Sequence, residues 1–374
     1  MKKLKGILVV LLFAVVLAGC AKDKGKDIIA EDTTKEATLT SVPTTAPTSG
    51  PTPTTGVING ETATEEDTTV KDTTVKDKID IKIAALKGPT AMGMVKIMED
   101  AEGGTTANNY NFTIAGTADE ITTGLVKGDF DIAAVPCNLA SVLYNKTEGD
   151  IKLAAINTLG VLYIVETGDT IKTVEDLKGK TIYSTGLGTT PQYTLNYLLT
   201  SHGIDPEKDV TIEYMVEATE VAAILSEATD AVAMLPQPYV TTVMMSNDKV
   251  RIALNIADEW DAVSTDKSSV VTGVVVVRSG FLENNKEAFD AFMAEYTASA
   301  GFVNENVDEA SALVEKFDIF KAAPAKKAIP FCNITLIQGS EMKEKVSGYL
   351  TTLFNQNPKA VGGKLPADDF YYMP

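Results

Sequence analysis

Strand patterns that end in a glycine- or proline-containing turn and lead into a helix pattern recur along the chain from residue 79. Ile79–Leu86 reads as a strand before Lys87-Gly88-Pro89-Thr90 and an apolar helix pattern, and Asp131–Val135 reads as a strand before Pro136-Cys137-Asn138. Gly then Pro is typical of a helix start. Strands that alternate with helices of 10 to 15 residues favour a largely parallel sheet flanked by helices. The fold class predicted here is therefore α/β.

The same alternation restarts after residue 180 and predicts a second, smaller lobe. Its strand patterns are Thr181–Ser184, Val210–Met215 and Asp230–Met234, each followed by a helix pattern. Two apolar runs, Leu159–Val165 and Val271–Val277, border this part, and each could cross from one lobe to the other as a hinge strand. We predict lobe I at 79–163 plus 273–374 and lobe II at 164–272, because the folded part exceeds what one core usually holds.

The N-terminus carries a targeting signal rather than part of the fold. Lys2, Lys3 and Lys5 precede the apolar run Ile7–Leu17, which is typical of a secretory signal peptide at 1–19. The run is shorter than the roughly 20 residues of a membrane span. It ends in Leu-Ala-Gly-Cys20, which resembles the bacterial lipobox and implies that Cys20 becomes the lipidated first residue. We expect an extracytoplasmic domain that is anchored to the cell membrane through Cys20 only.

Residues 20–78 are predicted to form a disordered stalk. After Cys20 this segment contains no aromatic residue and is dominated by Thr, Pro, Asp, Lys and Glu, so it cannot bury enough apolar surface to offset the entropy of ordering. Removing the signal peptide changes the formal net charge from -18 to -21. A strongly acidic surface argues against nucleic acid or an anionic membrane as a partner.

Ligands of open α/β sheets bind beyond the carboxyl ends of the strands, where helix N-termini present unpaired N–H groups. Both lobes offer such ends, and they supply backbone N–H groups, hydroxyls and amides. These groups suit binding rather than bond breaking. The predicted ligand-binding residues are Gly88, Pro89, Thr90, Thr117, Asn138, Gly188, Thr189, Thr190, Pro191, Gln237 and Tyr239.

Five features together resemble the type II periplasmic binding proteins, from Ile79 to the C-terminus. They are the lipobox, the strand ending at Gly88-Pro89-Thr90, the segment Gly128–Val135, the turn Gly186–Pro191, and Ala231–Tyr239. The group that the chain resembles most is the ABC-importer binding proteins for sulfonates, taurine, nitrate and the thiamine pyrimidine precursor. The resemblance implies that the loops at Gly88–Thr90, Asn138, Gly186–Pro191 and Pro236–Tyr239 face the cleft.

The resemblance further implies an ABC permease and its ATPase as partners, a small-molecule ligand, a monomer, and no cofactor. Two lobes would close over the solute by a hinge motion. The two arginines, Arg251 and Arg278, lie outside the candidate loops, which makes an arginine fork for an anionic ligand less favoured. Two other interpretations stay open: an enzyme on the same fold, and a tethered sensor domain.

Residues with reactive side chains favour a structural interpretation. His202, the single histidine, precedes Gly203 at a predicted helix C-terminus, so neither a catalytic triad nor a zinc site is expected. Trp260 is expected to be a packed loop aromatic, with a position at the cleft rim as the alternative. Cys137 and Cys332 leave two alternatives, a disulfide outside the cell or two buried thiols.

Overall fold

The computed structural model describes residues 77–264 and 268–374. The predicted signal peptide, the lipidation site Cys20 and the predicted stalk up to residue 76 lie outside the described residues. In the described part the chain forms the following strands: β1 (Asp80–Leu86), β2 (Asn109–Ala115), β3 (Ile132–Pro136), β4 (Ile151–Leu159), β5 (Leu162–Thr167), β6 (Thr181–Thr185), β7 (Thr211–Met215), β8 (Val232–Pro236), β9 (Val250–Asn255), β10 (Val271–Arg278) and β11 (Ile334–Ile337).

Helices connect and cover these strands. They are α1 (Pro89–Met92), α2 (Val95–Glu102), α3 (Ala118–Lys127), α4 (Cys137–Lys146), α5 (Thr190–Ser201), α6 (Ala218–Glu227), α7 (Tyr239–Ser246), α8 (Ile256–Val263), α9 (Ser279–Asn284), α10 (Lys286–Glu305), α11 (Val307–Lys316), α12 (Ala322–Ala328) and α13 (Gly339–Gln356). Their ends follow local chemistry: α3 stops at Gly128, whose φ of 83° is left-handed, and α5 carries Pro191 in its first turn.

The first sheet has the order β11-β4-β10-β3-β1-β2 and defines lobe I. β1 pairs in parallel with β2 and β3, whereas β10 is antiparallel to both β3 and β4, and β11 is antiparallel to β4. The sheet is therefore mixed, which differs from the largely parallel sheet expected from the sequence. The reason is topological: β10 re-enters lobe I from the other lobe and inserts between two strands that run the opposite way.

The second sheet has the order β7-β6-β8-β5-β9 and defines lobe II. β6 is parallel to β7 and β8, while β5 is antiparallel to β8 and β9. This sheet is mixed for the same reason, since β5 enters directly from lobe I. The central strands of both sheets are buried on both faces. Ile81 and Ala84 of β1 face different core clusters of lobe I, and Ile164 and Tyr163 of β5 face different clusters of lobe II.

The connections between the lobes are shorter than the sequence suggested. Leu159–Val165 is divided into the end of β4, the two residues Gly160 and Val161, and the start of β5, while Val271–Val277 lies wholly within β10. A Cβ on Gly160 would lie 2.8 Å from Ala257 Cβ and 3.3 Å from Val270 Cβ. Glycine therefore lets the two inter-lobe connections pack together at this point.

Candidate functional site

A cavity of about 400 Å³ lies at the carboxyl ends of β1 and β8, with walls from both lobes. Its volume is within the range of small-molecule pockets, roughly 300–1,000 Å³, and its position is where open α/β sheets bind ligands. The residues that line it are Leu86, Lys87, Gly88, Pro89, Thr90, Val161, Pro236, Gln237, Pro238, Tyr239, Thr272, Glu315, Asp318, Ile319, Phe320 and Lys321.

The β1–α1 turn supplies the lobe I wall. Gly88 has φ 123° and ψ -156°, a conformation that only glycine adopts readily, and Pro89 begins α1. This geometry places Thr90 at the cavity with 6% of its surface exposed. Asn157 of β4 fixes the turn from behind, because its Nδ2 donates to the Thr90 carbonyl at 2.9 Å.

Several polar side-chain atoms surround Gly273 of β10, next to Thr90. A Cβ on Gly273 would lie 2.5 Å from Asn157 Oδ1, 3.1 Å from Thr90 Oγ1 and 3.2 Å from Thr158 Oγ1. Asn157 Oδ1 and Thr158 Oγ1 are buried without a hydrogen-bond partner. The glycine therefore leaves space for a buried group of acceptors and hydroxyls at the base of the lobe I wall.

The β8–α7 turn supplies the lobe II wall, and Gln237 is its central residue. The backbone N–H of Gln237 donates to the carbonyl of Val161 in the inter-lobe connection at 2.9 Å. Gln237 Oε1 accepts from the backbone N–H of Thr241 at 3.2 Å and from its hydroxyl at 2.9 Å.

Gln237 Nε2 is buried and has no partner, and the residue is only 1% exposed. An unsatisfied buried donor costs on the order of 1–3 kcal/mol. This nitrogen is buried rather than exposed on the cavity surface, so Gln237 lines the cavity through its other atoms.

An aromatic pair closes one side of the cavity. The ring of Tyr239 at the start of α7 meets the ring of Phe320, which follows α11, in an edge-to-face contact with centroids 5.7 Å apart. Burial raises the pKa of Tyr239, and Glu217 adds to the rise while Lys87 opposes it. The pair links lobe II to lobe I and presents apolar ring surface to the cavity.

Charged residues stand at the cavity mouth as two ion pairs. Lys87 Nζ lies 3.0 Å from Asp318 Oδ2 and Lys321 Nζ lies 3.4 Å from Glu315 Oε1. All four side chains are well exposed, from 42% for Lys87 to 94% for Asp318.

Five of the predicted ligand-binding residues therefore line one cavity: Gly88, Pro89, Thr90, Gln237 and Tyr239. The structure places the other six elsewhere. Thr117 precedes α3 and borders a shallow hollow on lobe I with Asp119 and Glu120.

The β6–α5 turn satisfies its own polar groups. The N–H of Gly188 donates to Gln192 Oε1 at 2.7 Å, and Thr189 Oγ1 donates to the carbonyl of Gly186 at 2.7 Å. Pro191 packs inside the same turn, since a Cβ on Gly186 would lie 2.7 Å from Pro191 Cγ.

Asn138 and Thr190 bind each other across the lobes. Thr190 Oγ1 donates to Asn138 Oδ1 at 2.9 Å, and Asn138 Nδ2 donates to the Ala360 carbonyl at 3.2 Å. The helix N-termini of α4 and α5 thus meet directly. In this structure the part of the cleft between α4 and α5 is closed by protein, and the open part lies between α1 and α7.

Aromatic residues extend the inter-lobe contact beyond this hydrogen bond. Trp260 is fully buried in α8, with its ring centroid 4.2 Å from that of Tyr197 and 5.3 Å from that of Tyr349 on α13. Thr194 and Tyr349 share a hydrogen bond of 3.1 Å between their hydroxyl oxygens. Trp260 is therefore packed at the lobe junction, in a helix rather than a loop, and not at the cleft rim.

Sequence reasoning missed the lobe I residues that follow α11. Asp318, Ile319 and Phe320 reach the cavity because the chain turns after α11, with Asp318 at a φ of 52°. The local feature that favours a turn here is the residue type of Asp318, because Asp adopts the left-handed conformation more readily than most residues. Nothing in the sequence showed that this turn would meet α7.

The reactive side chains considered above lie apart from the cavity. Cys137 and Cys332 are free and buried, and burial raises the pKa of both thiols, that of Cys332 to about 12. His202 is the C-cap of α5 and contacts Glu175 through Nδ1 at 2.8 Å. The described residues contain no group of His, Cys, Asp and Glu side chains arranged to hold a metal ion.

A larger hollow of about 590 Å³ lies on lobe I at the amino end of β1, between Asp77, Asn108 and the start of α10. Its position at the amino ends of the strands is opposite to where such sheets bind ligands, so we place the candidate site in the smaller cavity. Of the helices that the structure describes, none has the length and apolar character to span a bilayer.

Comparison with known proteins agrees with this architecture. Residues 151–310 match the family model described as NMT1/THI5 like. No curated protein matches the chain. Among solved structures, the chain is similar to an ABC transporter protein from Parabacteroides distasonis, with 27% identity, a TM-score of 0.67, and coverage of 79% of this chain and 98% of that one.

Two more distant structures share the fold. The periplasmic aliphatic sulphonate binding protein SsuA from Escherichia coli is 15% identical, with a TM-score of 0.63 over 79% of this chain and 92% of that one. The ligand-binding component of an ABC-type import system from Staphylococcus aureus is 18% identical, with a TM-score of 0.60 over 79% and 97%. The chain therefore has the two-lobed fold of the type II periplasmic binding proteins.

Proposed function

We propose that this protein is the extracytoplasmic solute-binding component of an ABC importer, which captures a small organic molecule between its two lobes and delivers it to a permease. The observation that carries the proposal is the cavity between the β1–α1 and β8–α7 turns, whose walls come from both lobes. The transport-related names of the structural neighbours support the same role.

The residues around the cavity support a binding role without a catalytic step. Gly88, Pro89 and Thr90 contribute backbone and hydroxyl groups, Gln237 contributes an amide, and Tyr239 contributes a ring. Such groups orient a ligand. A solute that touches both walls stabilises the closed arrangement, because only that arrangement offers both sets of contacts.

The proposal includes a lipid anchor at Cys20 and a stalk up to residue 78, on the sequence signals given above. Several acyl chains on one residue would hold the protein at the membrane surface, since each buried CH₂ contributes about 0.8 kcal/mol. Metabolic labelling with a radioactive fatty acid tests this part: label on the wild type that disappears in Cys20→Ala supports the anchor, and label retained in that variant contradicts it.

A thermal-shift screen of the purified protein tests the binding role. A ligand at 100 times its Kd should add about 2.7 kcal/mol of stability and raise the melting temperature measurably. A response to one chemical class supports solute capture. A folded protein that responds to no member of a broad metabolite library would contradict it.

A further inference from the structure

The hollow of about 590 Å³ on lobe I lies at the amino end of β1, away from the candidate cavity at the carboxyl end of the same strand. All of its walls belong to lobe I, because they come from the residues before β1, the loop before β2, and the segment where α9 ends and α10 begins. A segment of chain bound here would leave both lobe II and the candidate cavity unobstructed.

Asp77, the first residue that the structure describes, lies in the wall of this hollow, and so does Ile79. Side chains of an extended chain alternate between two faces. Ile79, Ile81 and Ile83 share the face that packs against the core cluster around α10, and the same alternation places Val75 on that face. At about 3.3 Å per residue, the four residues before Asp77 can span roughly 13 Å from the wall of the hollow.

The charged side chains of the hollow give it a negative character. Glu283 near the end of α9 and Glu287 in the first turn of α10 are exposed and line it. Lys286 also lines it, but its Nζ lies 2.6 Å from Asp290 Oδ2 and 5.8 Å from the ring centre of Tyr372. Those two partners lie outside the hollow, so they hold the lysine charge away from the two glutamates.

The four residues before the described chain have a chemistry that complements the hollow. They are Thr73-Thr74-Val75-Lys76, which combine two hydroxyls, an apolar side chain and a cation. The valine suits the small apolar surface of Ala288 and Ala291, and the lysine suits the carboxylates. An exposed ion pair contributes little by itself, but this segment is joined covalently to the wall of the hollow, which gives it a high effective concentration there.

We propose that residues 73–76 dock in this hollow, so that Val75 packs on the two alanines and Lys76 pairs with the two glutamates. The stalk then consists of the residues up to 72, and it is attached to lobe I at the end remote from the cavity. Lobe II is free to move relative to the tethered lobe. This inference goes beyond the proposed solute-binding function and rests on it only for the role of the stalk as a membrane tether.

A repeat in the sequence supplies an internal reference for the test. Asp67-Thr-Thr-Val-Lys71 and Asp72-Thr-Thr-Val-Lys76 are identical, and an aspartate follows each lysine. Trypsin cleaves after lysine, so the two copies offer it the same local sequence at different distances from the hollow. Limited proteolysis of the full chain in a mild detergent, followed by mass spectrometry, measures the fragments that begin at Asp72 and at Asp77.

Removal of the two carboxylates tests the ion pairing. The double variant Glu283→Gln/Glu287→Gln leaves both cleavage sequences intact and adds no trypsin site. In the wild type we expect cleavage after Lys76 to be at least about tenfold slower than after Lys71. The double variant should speed cleavage after Lys76 severalfold and leave cleavage after Lys71 unchanged. Glu305→Gln is the matched control, because Glu305 ends α10 outside the hollow, and it should change neither rate.

Substitution of the valine tests the apolar contact independently of the charges. Val75→Asp places a carboxylate against apolar surface and beside other carboxylates, so we expect it to lower the urea concentration at the midpoint of unfolding. Val70→Asp makes the same change in the first copy of the repeat and should leave the midpoint unchanged. Circular dichroism verifies that each variant is folded.

The outcomes separate the docking from solute capture, because the hollow and the cavity share no lining residue. Equal cleavage after Lys71 and Lys76 in the wild type would overturn the docking. An unchanged rate after Lys76 in the folded double glutamine variant would overturn the pairing with the glutamates. Equal urea midpoints for Val75→Asp and Val70→Asp would overturn the packing of Val75. None of these results bears on the thermal-shift screen, and a failed screen leaves the docking intact.

Discussion

Gln237 shows how one residue can join the hinge, a helix and the candidate site. Its backbone N–H donates to the Val161 carbonyl in the inter-lobe connection, its side-chain oxygen accepts from Thr241 of α7, and its side-chain nitrogen is buried without a hydrogen-bond partner. The sequence predicted this position because it follows a strand in an α/β lobe. Which of its two side-chain amide atoms is hydrogen-bonded could not be predicted, because that depends on the three-dimensional course of the chain.

The Asn138–Thr190 hydrogen bond joins the two lobes and should contribute to the free energy of unfolding. Both residues were expected to face a ligand, but the structure joins them to each other. We expect Asn138→Ala and Thr190→Val to lower the free energy of unfolding non-additively, with a coupling energy of about 1 kcal/mol.

Urea unfolding of the two single variants and the double variant measures that coupling. Thr200→Val is the control partner for Asn138→Ala, because Thr200 lies on the same helix and bonds only within it. Coupling of the same size in both cycles, or none in either, would show that the inter-lobe bond does not form in solution.

Glu166 in lobe II should make the free energy of unfolding depend on pH. Burial alone raises the pKa of Glu166, but hydrogen bonds from Ile171 and Thr170 together with Arg251 outweigh it, so the pKa lies below its ordinary value. A lowered pKa in the folded state stabilises the protein above the unfolded-state pKa, and that stabilisation is lost as pH falls through the folded-state pKa.

Glu166→Gln should therefore reduce the free energy of unfolding by about 2 kcal/mol at pH 7. The difference from wild type should shrink as the pH falls below the ordinary range of a glutamate pKa. Chemical denaturation of both proteins at pH 7 and at pH 3 measures this. A difference that is the same at both pH values would contradict the role given to the Glu166 charge.

At the scale of elements, local signals predicted helices better than they predicted sheets. In the structure α3 ends at Lys127 before Gly128, and α5 begins at Thr190 with Pro191 in its first turn, so both helix ends carry a local signal that the sequence shows. The antiparallel insertion of β10 could not be predicted, because strand pairing joins residues more than 100 positions apart, as Val274 pairs with Val135.

The close packing of the inter-lobe connection at Gly160 should make protein stability sensitive to any added side-chain atom there. Gly160→Ala places a Cβ 2.8 Å from Ala257 Cβ, and the resulting overlap should lower the free energy of unfolding by roughly 1–3 kcal/mol. Gly301→Ala is the matched control: it lies in α10 with no atom within 4 Å of the added Cβ, and it should raise stability by roughly 0.5–1 kcal/mol.

The double variant Gly160→Ala with Ala257→Gly removes the clashing atom and should recover most of the loss. Thermal and urea unfolding compare the wild type, Gly160→Ala, Gly301→Ala and the double variant. A neutral Gly160→Ala would mean that the two connections are not packed together as the structure has them.

For the whole molecule, the two mixed sheets define two lobes whose contacts differ on the two sides of the cleft. On one side, α4 and α5 meet through Asn138 and Thr190, and Trp260 packs against Tyr349. On the other side, the cavity stays open between the β1–α1 and β8–α7 turns. The central claim is that this open side is where the solute binds.

Hydrogen–deuterium exchange with and without the compound that gives the largest thermal shift tests this claim most directly. We predict that the compound slows exchange in segments 86–92, 236–241 and 315–321, which line the cavity, and leaves segment 117–123 on α3 unchanged. Slower exchange confined to 117–123 or 186–191, with the three cavity segments unaffected, would contradict the account.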